Sequence, residues 1–186
     1  MEEIEFAIEE GQEAMNASID RLKNELSKIS TGKASPKMLA DLMVEYYGSP
    51  TPLSQVANLG TSDARTLTIQ PWEKNMLGPI EKSIFEANLG LTPMNNGDQV
   101  IINVPMLTEE RRKEYVKRAK GYGEDAKVSI RNVRKTMMDA IKKGVKDGVS
   151  EDIGKDFEGT VQKITNGFSG QIDEIVSGKE KELMTV

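Results

Sequence analysis

Between residues 4 and 29, Ile4, Ile8, Gly11, Met15, Ile19, Leu22, Leu26 and Ile29 recur at intervals of three and four. That spacing draws one apolar stripe along a helix of about 28 residues. Glu2, Glu3, Glu5, Glu9 and Glu10 suit the positive end of its dipole. A second helix is predicted from Thr108, an N-cap candidate followed by Glu109 and Glu110. Arg111 stands where a full capping box would have Glu or Gln. Its stripe runs Tyr115, Ala119, Tyr122, Ala126, Ile130, Val133, Met137 and Ile141; Lys142, Lys143 and Lys146 crowd its end, and Gly148 is the C′ candidate. A third begins at Ser150-Glu151-Asp152, with Ile153, Phe157, Val161, Ile164, Phe168, Ile172 and Ile175 on one face. Its glycines (Gly154, Gly159, Gly167, Gly170, Gly178) each cost roughly 1 kcal/mol against alanine, so this helix depends on packing. Three such stripes need one another, which predicts a three-helix bundle.

The middle of the chain changes period. All seven prolines lie between Pro36 and Pro105, and proline breaks helix interiors. Strands are predicted at Met43–Tyr47, Arg65–Ile69 and Val100–Val104, the last after the turn signal Asn95-Asn96-Gly97-Asp98. A short helix between the last two has Gly78 as N-cap candidate, Pro79 at its first position, Ile80, Ile84 and Ala87 facing inward, and Gly90 at its end. The fold class is therefore α+β: a long three-helix bundle, residues 1–30 and 107–186, carrying an inserted β/α/β domain, residues 31–106. The chain crosses between them twice, at Thr31, Gly32, Lys33, Ala34, Ser35 and Pro36 and at Val104, Pro105, Met106 and Leu107, and this two-strand junction is a candidate hinge.

Composition narrows the chemistry. The 186 residues include no histidine and no cysteine, which removes the cysteine nucleophile, histidine acid–base work, His/Cys metal sites and disulfides. No apolar run approaches the ~20 residues of a membrane span, and the first residues are acidic where a targeting peptide would be basic. A cytoplasmic, non-enzymatic monomer with no metal and no cofactor is expected. Asp152, Asp156 and Glu158 hint at a calcium loop, but Phe157 and Lys163 occupy its glycine and glutamate positions. No phosphate-cradling glycine loop is present. The pair Tyr46-Tyr47 reads as strand with one ring packed inward rather than as a base-stacking platform.

Charge is the informative feature. The net charge is −5, yet residues 111–146 alone carry +9, with 13 basic and 4 acidic side chains. At about 100° per residue, Lys113, Lys117, Lys120, Lys127, Arg131, Arg134, Lys135, Lys142 and Lys146 share an arc of roughly 120°, centred about 140° from the apolar stripe. The bland alternative is a solvated face paired with acids of neighbouring helices. The four acids within the segment are too few to neutralise it locally. A polyanion ligand is the better reading, and shape recognition of folded RNA fits a ridge of phosphate contacts better than major-groove DNA reading.

Several stretches add a family resemblance: T-G-K-A-S-P (31–36), V-E-Y-Y-G-S-P-T-P-L (44–53), S-D-A-R-T-L-T-I (62–69), L-T-E-E-R-R-K-E (107–114), R-N-V-R-K (131–135) and K-E-K-E-L-M (179–184). Colinear over the whole chain, they resemble the ribosome recycling factor family. The resemblance implies an L-shaped molecule similar in outline to tRNA that binds ribosomal RNA of the large subunit after termination. It implies subunit splitting with elongation factor G and GTP hydrolysis by that partner, and a functional link to initiation factor 3. By motif match it places RNA contacts on Arg111, Arg112, Arg131 and Arg134; the last two also lie in the cationic arc. Ser30 departs from the arginine that usually precedes T-G-[RK]-A-S-P, which leaves Lys33 as the nearby charge. A protein-interaction module whose basic face takes an acidic protein is the alternative, and a small hydrolase in the middle domain finds no catalytic constellation.

Overall fold

The computed structural model describes residues 1–185. In chain order the elements are α1 (Glu2–Ser27), β1 (Met43–Tyr46), β2 (Ser49–Pro52), β3 (Ala57–Asp63), β4 (Thr66–Pro71), α2 (Leu77–Glu86), β5 (Pro93–Asn95), β6 (Val100–Asn103), α3 (Glu109–Lys146) and α4 (Glu151–Met184). The fold is α+β: three long helices and a small β domain. The chain divides into two compact units, residues 1–29 with 112–186 and residues 30–111.

The first unit is the three long helices. Ile4, Met15, Ile19, Leu22 and Leu26 of α1, Ala119, Ile130, Met137 and Ile141 of α3, and Val161, Phe168 and Ile172 of α4 form its buried stripes. Glycines set the closest approaches. A Cβ at Gly11 would lie 2.5 Å from the Met137 sulfur, at Gly123 2.7 Å from Val176, at Gly144 2.5 Å from Ile4, and at Gly154 2.7 Å from Val145. Ser18 of α1 and Ser129 of α3 share a hydrogen bond of 2.8 Å across another contact. The helix ends are closed as the residues suggest: Ser150 Oγ accepts the Ile153 N–H at 3.4 Å, and Gly148 takes φ +110° between α3 and α4.

The α4 stripe is corrected in detail. Ile153 is exposed while Gly154 is buried, because the tight contact with Val145 leaves no room for a side chain on that face. Thr165 is also buried; its hydroxyl donates to the Val161 carbonyl at 2.7 Å, which removes the cost of an unpaired polar group. Gly159, Gly167, Gly170 and Gly178 face open space.

In the second unit a four-stranded antiparallel sheet, order β3-β4-β6-β5, lies with a separate β1-β2 hairpin and α2. Leu67 and Ile69 of β4, Ile80 and Ile84 of α2, and Val100 and Ile102 of β6 fill the core. Tyr47 and Gly48, at φ 47° and 81°, make the two-residue hairpin turn that requires positive φ at both positions. Three strands escape the sequence pattern. β2 is Ser-Pro-Thr-Pro, tolerated because it pairs on one side only; β3 lacks alternation around Gly60; β5 is three residues long. The short helix also starts earlier than Gly78. Met76 is its N-cap, so Pro79 sits at the third helical position, still within the turn whose N–H groups have no helical acceptor. Asn88, at φ 51°, turns the chain before Gly90 is reached.

Both crossing segments are fastened to one turn. The Ala34 N–H donates to the Ala64 carbonyl at 2.8 Å and the Val104 N–H to the Arg65 carbonyl at 2.7 Å. A Cβ at Gly32 would lie 3.3 Å from Leu107. Asp63 holds that turn: its carboxylate accepts the Arg65 N–H at 2.8 Å and the Thr66 hydroxyl at 2.8 Å. The Arg65 N–H and then the Thr66 hydroxyl hold the Asp63 carboxyl below its ordinary pKa. A depressed carboxylate stabilises the fold above its unfolded pKa, and that contribution disappears as pH falls through the lower folded value. Thermal melts of the unit followed by Trp72 fluorescence should show this acid dependence, and Asp63→Ala should flatten it. Among the described residues, no helix is long and apolar enough to cross a membrane.

Candidate nucleic-acid interface

The cations of α3 divide into two groups. On the side toward α4, Lys120 Nζ lies 3.3 Å from Glu180 Oε1 and Lys127 Nζ 2.7 Å from Asp173 Oδ1. The hydrogen bond that Lys127 donates to the Asp173 carboxylate is the main reason that the Lys127 pKa stands above its ordinary value. Arg134 lies at the same edge, half-buried, with its Nε sealed from solvent and without a hydrogen-bond partner among the described residues. Lys117, Arg131, Lys135, Lys142 and Lys146 are exposed and make no ion pair among the described residues. At 100° per residue these five fall within about 60°, over roughly 44 Å of helix. Lys113 is exposed on the same line and engaged within the protein. The acids of α4 thus trim one flank of the predicted ridge and leave a narrower cationic track, in which Lys117 stands about 21 Å along the helix from Arg131 and the other three follow Arg131 closely. An exposed row of this kind can meet several phosphates of one polyanion without moving the backbone.

Arg112 is placed elsewhere. Its Nη1 donates to the carbonyls of Leu183 at 2.6 Å and Thr185 at 3.2 Å, at the C-terminal end of α4. A guanidinium there satisfies orphan carbonyls and opposes the negative end of the helix dipole. Arg112→Ala should fray the last turn of α4, seen as faster amide exchange over residues 180–184 with the rest of the bundle unchanged. Arg111 is exposed at the start of α3, where its N–H is taken by the Thr108 hydroxyl at 3.2 Å. Arg118, outside the predicted arc, pairs with Glu114 at 3.7 Å and stacks over Tyr115 at 5.6 Å.

The small unit exposes large apolar side chains that periodicity did not single out: Tyr47, Trp72, Phe85 and Met94 are each solvent-facing. The Tyr46 ring is half-buried against the core while Tyr47 is exposed, and both hydroxyls donate to the Glu73 carboxylate, at 3.4 and 3.0 Å. The signal was present in Phe85, which follows the inward-facing Ile84 and so lies on the polar side of α2. Among the described residues no group of three or more acidic side chains is placed to hold a metal ion.

The family model for ribosome recycling factor matches residues 22–184. The chain belongs to the ribosome recycling factor family. It is 56% identical over 186 residues to the ribosome-recycling factor of Christiangramia forsetii, covering 100% of both chains. Against that of Flavobacterium johnsoniae it is 55% identical, covering 100% of this chain and 99% of the relative. A solution structure of the ribosome recycling factor superposes with a TM-score of 0.85 at 34% identity over 100% of both chains. A second structure, at TM-score 0.68 and 41% identity over 98% of this chain and 99% of the other, is of the T. thermophilus ribosome recycling factor. It was placed with E. coli elongation factor G on the E. coli post-termination complex.

Proposed function

We propose that the chain is a cytoplasmic translation factor that binds the post-termination ribosome and, with elongation factor G, separates its subunits. The carrying observation is the row Lys117, Arg131, Lys135, Lys142 and Lys146, left without an ion pair among the described residues in a chain that is acidic overall. Phosphates of large-subunit ribosomal RNA are the ligand that such a row suits, since a linear set of cations reads backbone spacing rather than base identity. Arg134 contributes from the edge of the row. The bundle wedges at the subunit interface, and the unit of residues 30–111 is the part the GTPase moves, with residues 31–36 and 104–107 as pivot. The chain itself is not a catalyst, works as a monomer and needs no cofactor; GTP hydrolysis belongs to elongation factor G, and initiation factor 3 then keeps the subunits apart. Kinship with a factor placed beside elongation factor G on a post-termination complex supports the partner assignment.

The test is sedimentation with vacant 70S ribosomes across a salt series, followed by addition of elongation factor G and GTP. Co-sedimentation that weakens steeply with salt, and splitting only with both additions, is expected. Absence of co-sedimentation at low salt would overturn the reading.

A further inference from the structure

The sequence holds two Asn-Gly pairs, Asn96-Gly97 and Asn166-Gly167. In each the backbone nitrogen of glycine is one ring closure away from the preceding side-chain amide, and glycine has no Cβ to hinder that approach. The fold treats the two pairs differently. Asn166 lies inside α4, and its Oδ1 accepts the Gln162 side-chain N–H at 2.8 Å, which turns the amide back along the helix. The Gly167 nitrogen is committed to the helical ladder.

Asn96-Gly97 lies in the exposed connection between β5 and β6, with Gly97 at φ +92°. There Asn96 Oδ1 accepts two backbone N–H groups, from Asp98 at 3.0 Å and Gln99 at 2.9 Å. We propose that Asn96 is a site of spontaneous covalent modification, deamidation through a cyclic imide. The Gly97 nitrogen gives its proton to hydroxide and attacks Asn96 Cγ. As the N–Cγ bond forms, negative charge develops on Oδ1, where the two N–H donors already point. The Cγ–Nδ2 bond then breaks and ammonia leaves with a proton from water. Water opens the ring at either carbonyl, giving aspartate or isoaspartate, so no oxidant or reductant is involved. One contact opposes the first step: the Gly97 N–H donates to Asn95 Oδ1 at 2.8 Å and must be released.

The products alter the unit in two ways. Either one adds a carboxylate beside Asp98, whose own charge is paired with Lys74 at 2.7 Å. Isoaspartate also routes the main chain through the side-chain carbon, lengthening the connection that sets the Asn95↔Val100 register.

Incubation of the full chain at rising pH, followed by peptide mapping and ammonia release, tests the proposal. Aspartate and isoaspartate should accumulate at residue 96, faster at higher pH because the nucleophile is the amide anion, while Asn166 stays intact. Asn96→Gln, which would need a larger ring, should melt like the parent and lose both products. Conversion at Asn166 ahead of Asn96, or an unchanged Asn96 at alkaline pH, would overturn it.

Discussion

Replacing Arg131, Lys135 and Lys142 together by alanine is expected to weaken binding to vacant 70S ribosomes by roughly 10²–10⁴-fold, since each charge-assisted contact contributes about 1–2 kcal/mol net. All three are exposed and make no ion pair among the described residues, so the melting temperature should stay within about a degree or two of the parent's. The slope of log affinity against log salt should flatten by about three units, one for each phosphate that no longer meets a cation. Lys120→Ala with Lys127→Ala is the matched control. Those two cations already face Glu180 and Asp173, so removing them should change affinity far less, and the salt slope hardly at all. Equal losses from the two sets would refute the division of the helix into paired and unpaired flanks.

Two glycines less than one helical turn apart should respond with opposite sign. A Cβ at Gly123 would stand 2.7 Å from a methyl of Val176, a β-branched side chain with little freedom to turn aside. Gly123→Ala should therefore destabilise the bundle by about 1–3 kcal/mol through overpacking. Gly121 has nothing within 4 Å of the same point. Gly121→Ala gains helix propensity alone and should stabilise by about 0.5–1 kcal/mol. Urea titrations of both variants check this, and Gly123→Ala in a Val176→Ala background should recover most of its loss. Two shifts of the same sign would mean that α3 and α4 are less closely packed at that point.

The long helices were legible because a 3.6-residue period persists through 26 to 38 residues, so a single misplaced side chain such as Ile153 does not blur it. The small unit was half legible. β1, β4 and β6 carry apolar residues facing the core, whereas β2 contains two prolines, β5 is three residues long and β3 holds a glycine and a bulge near Thr61. Such strands are specified by the neighbours that pair with them rather than by their own pattern. The cationic row was visible as a count and an angle. Its true width was not, because the acids that trim it, Asp173 and Glu180, lie on α4, remote in sequence from the lysines they meet. Arg112 was assigned to RNA contact by motif; in the structure it closes the end of α4, a use that depends on where a second helix stops.

The fastening of residues 34 and 104 to the single turn Ala64-Arg65 has a thermodynamic consequence for the helices. To the bundle, the segment from Ser30 to Arg111 is a loop that must be closed. Folded, with its two ends held together, it closes as a loop of a few residues. Unfolded, it closes as one of roughly eighty, and the difference in chain entropy is about 2 kcal/mol. Any ligand or substitution that melts the small unit therefore weakens the bundle by that amount with no side chain of the bundle touched, and anything that steadies the small unit steadies the helices in return.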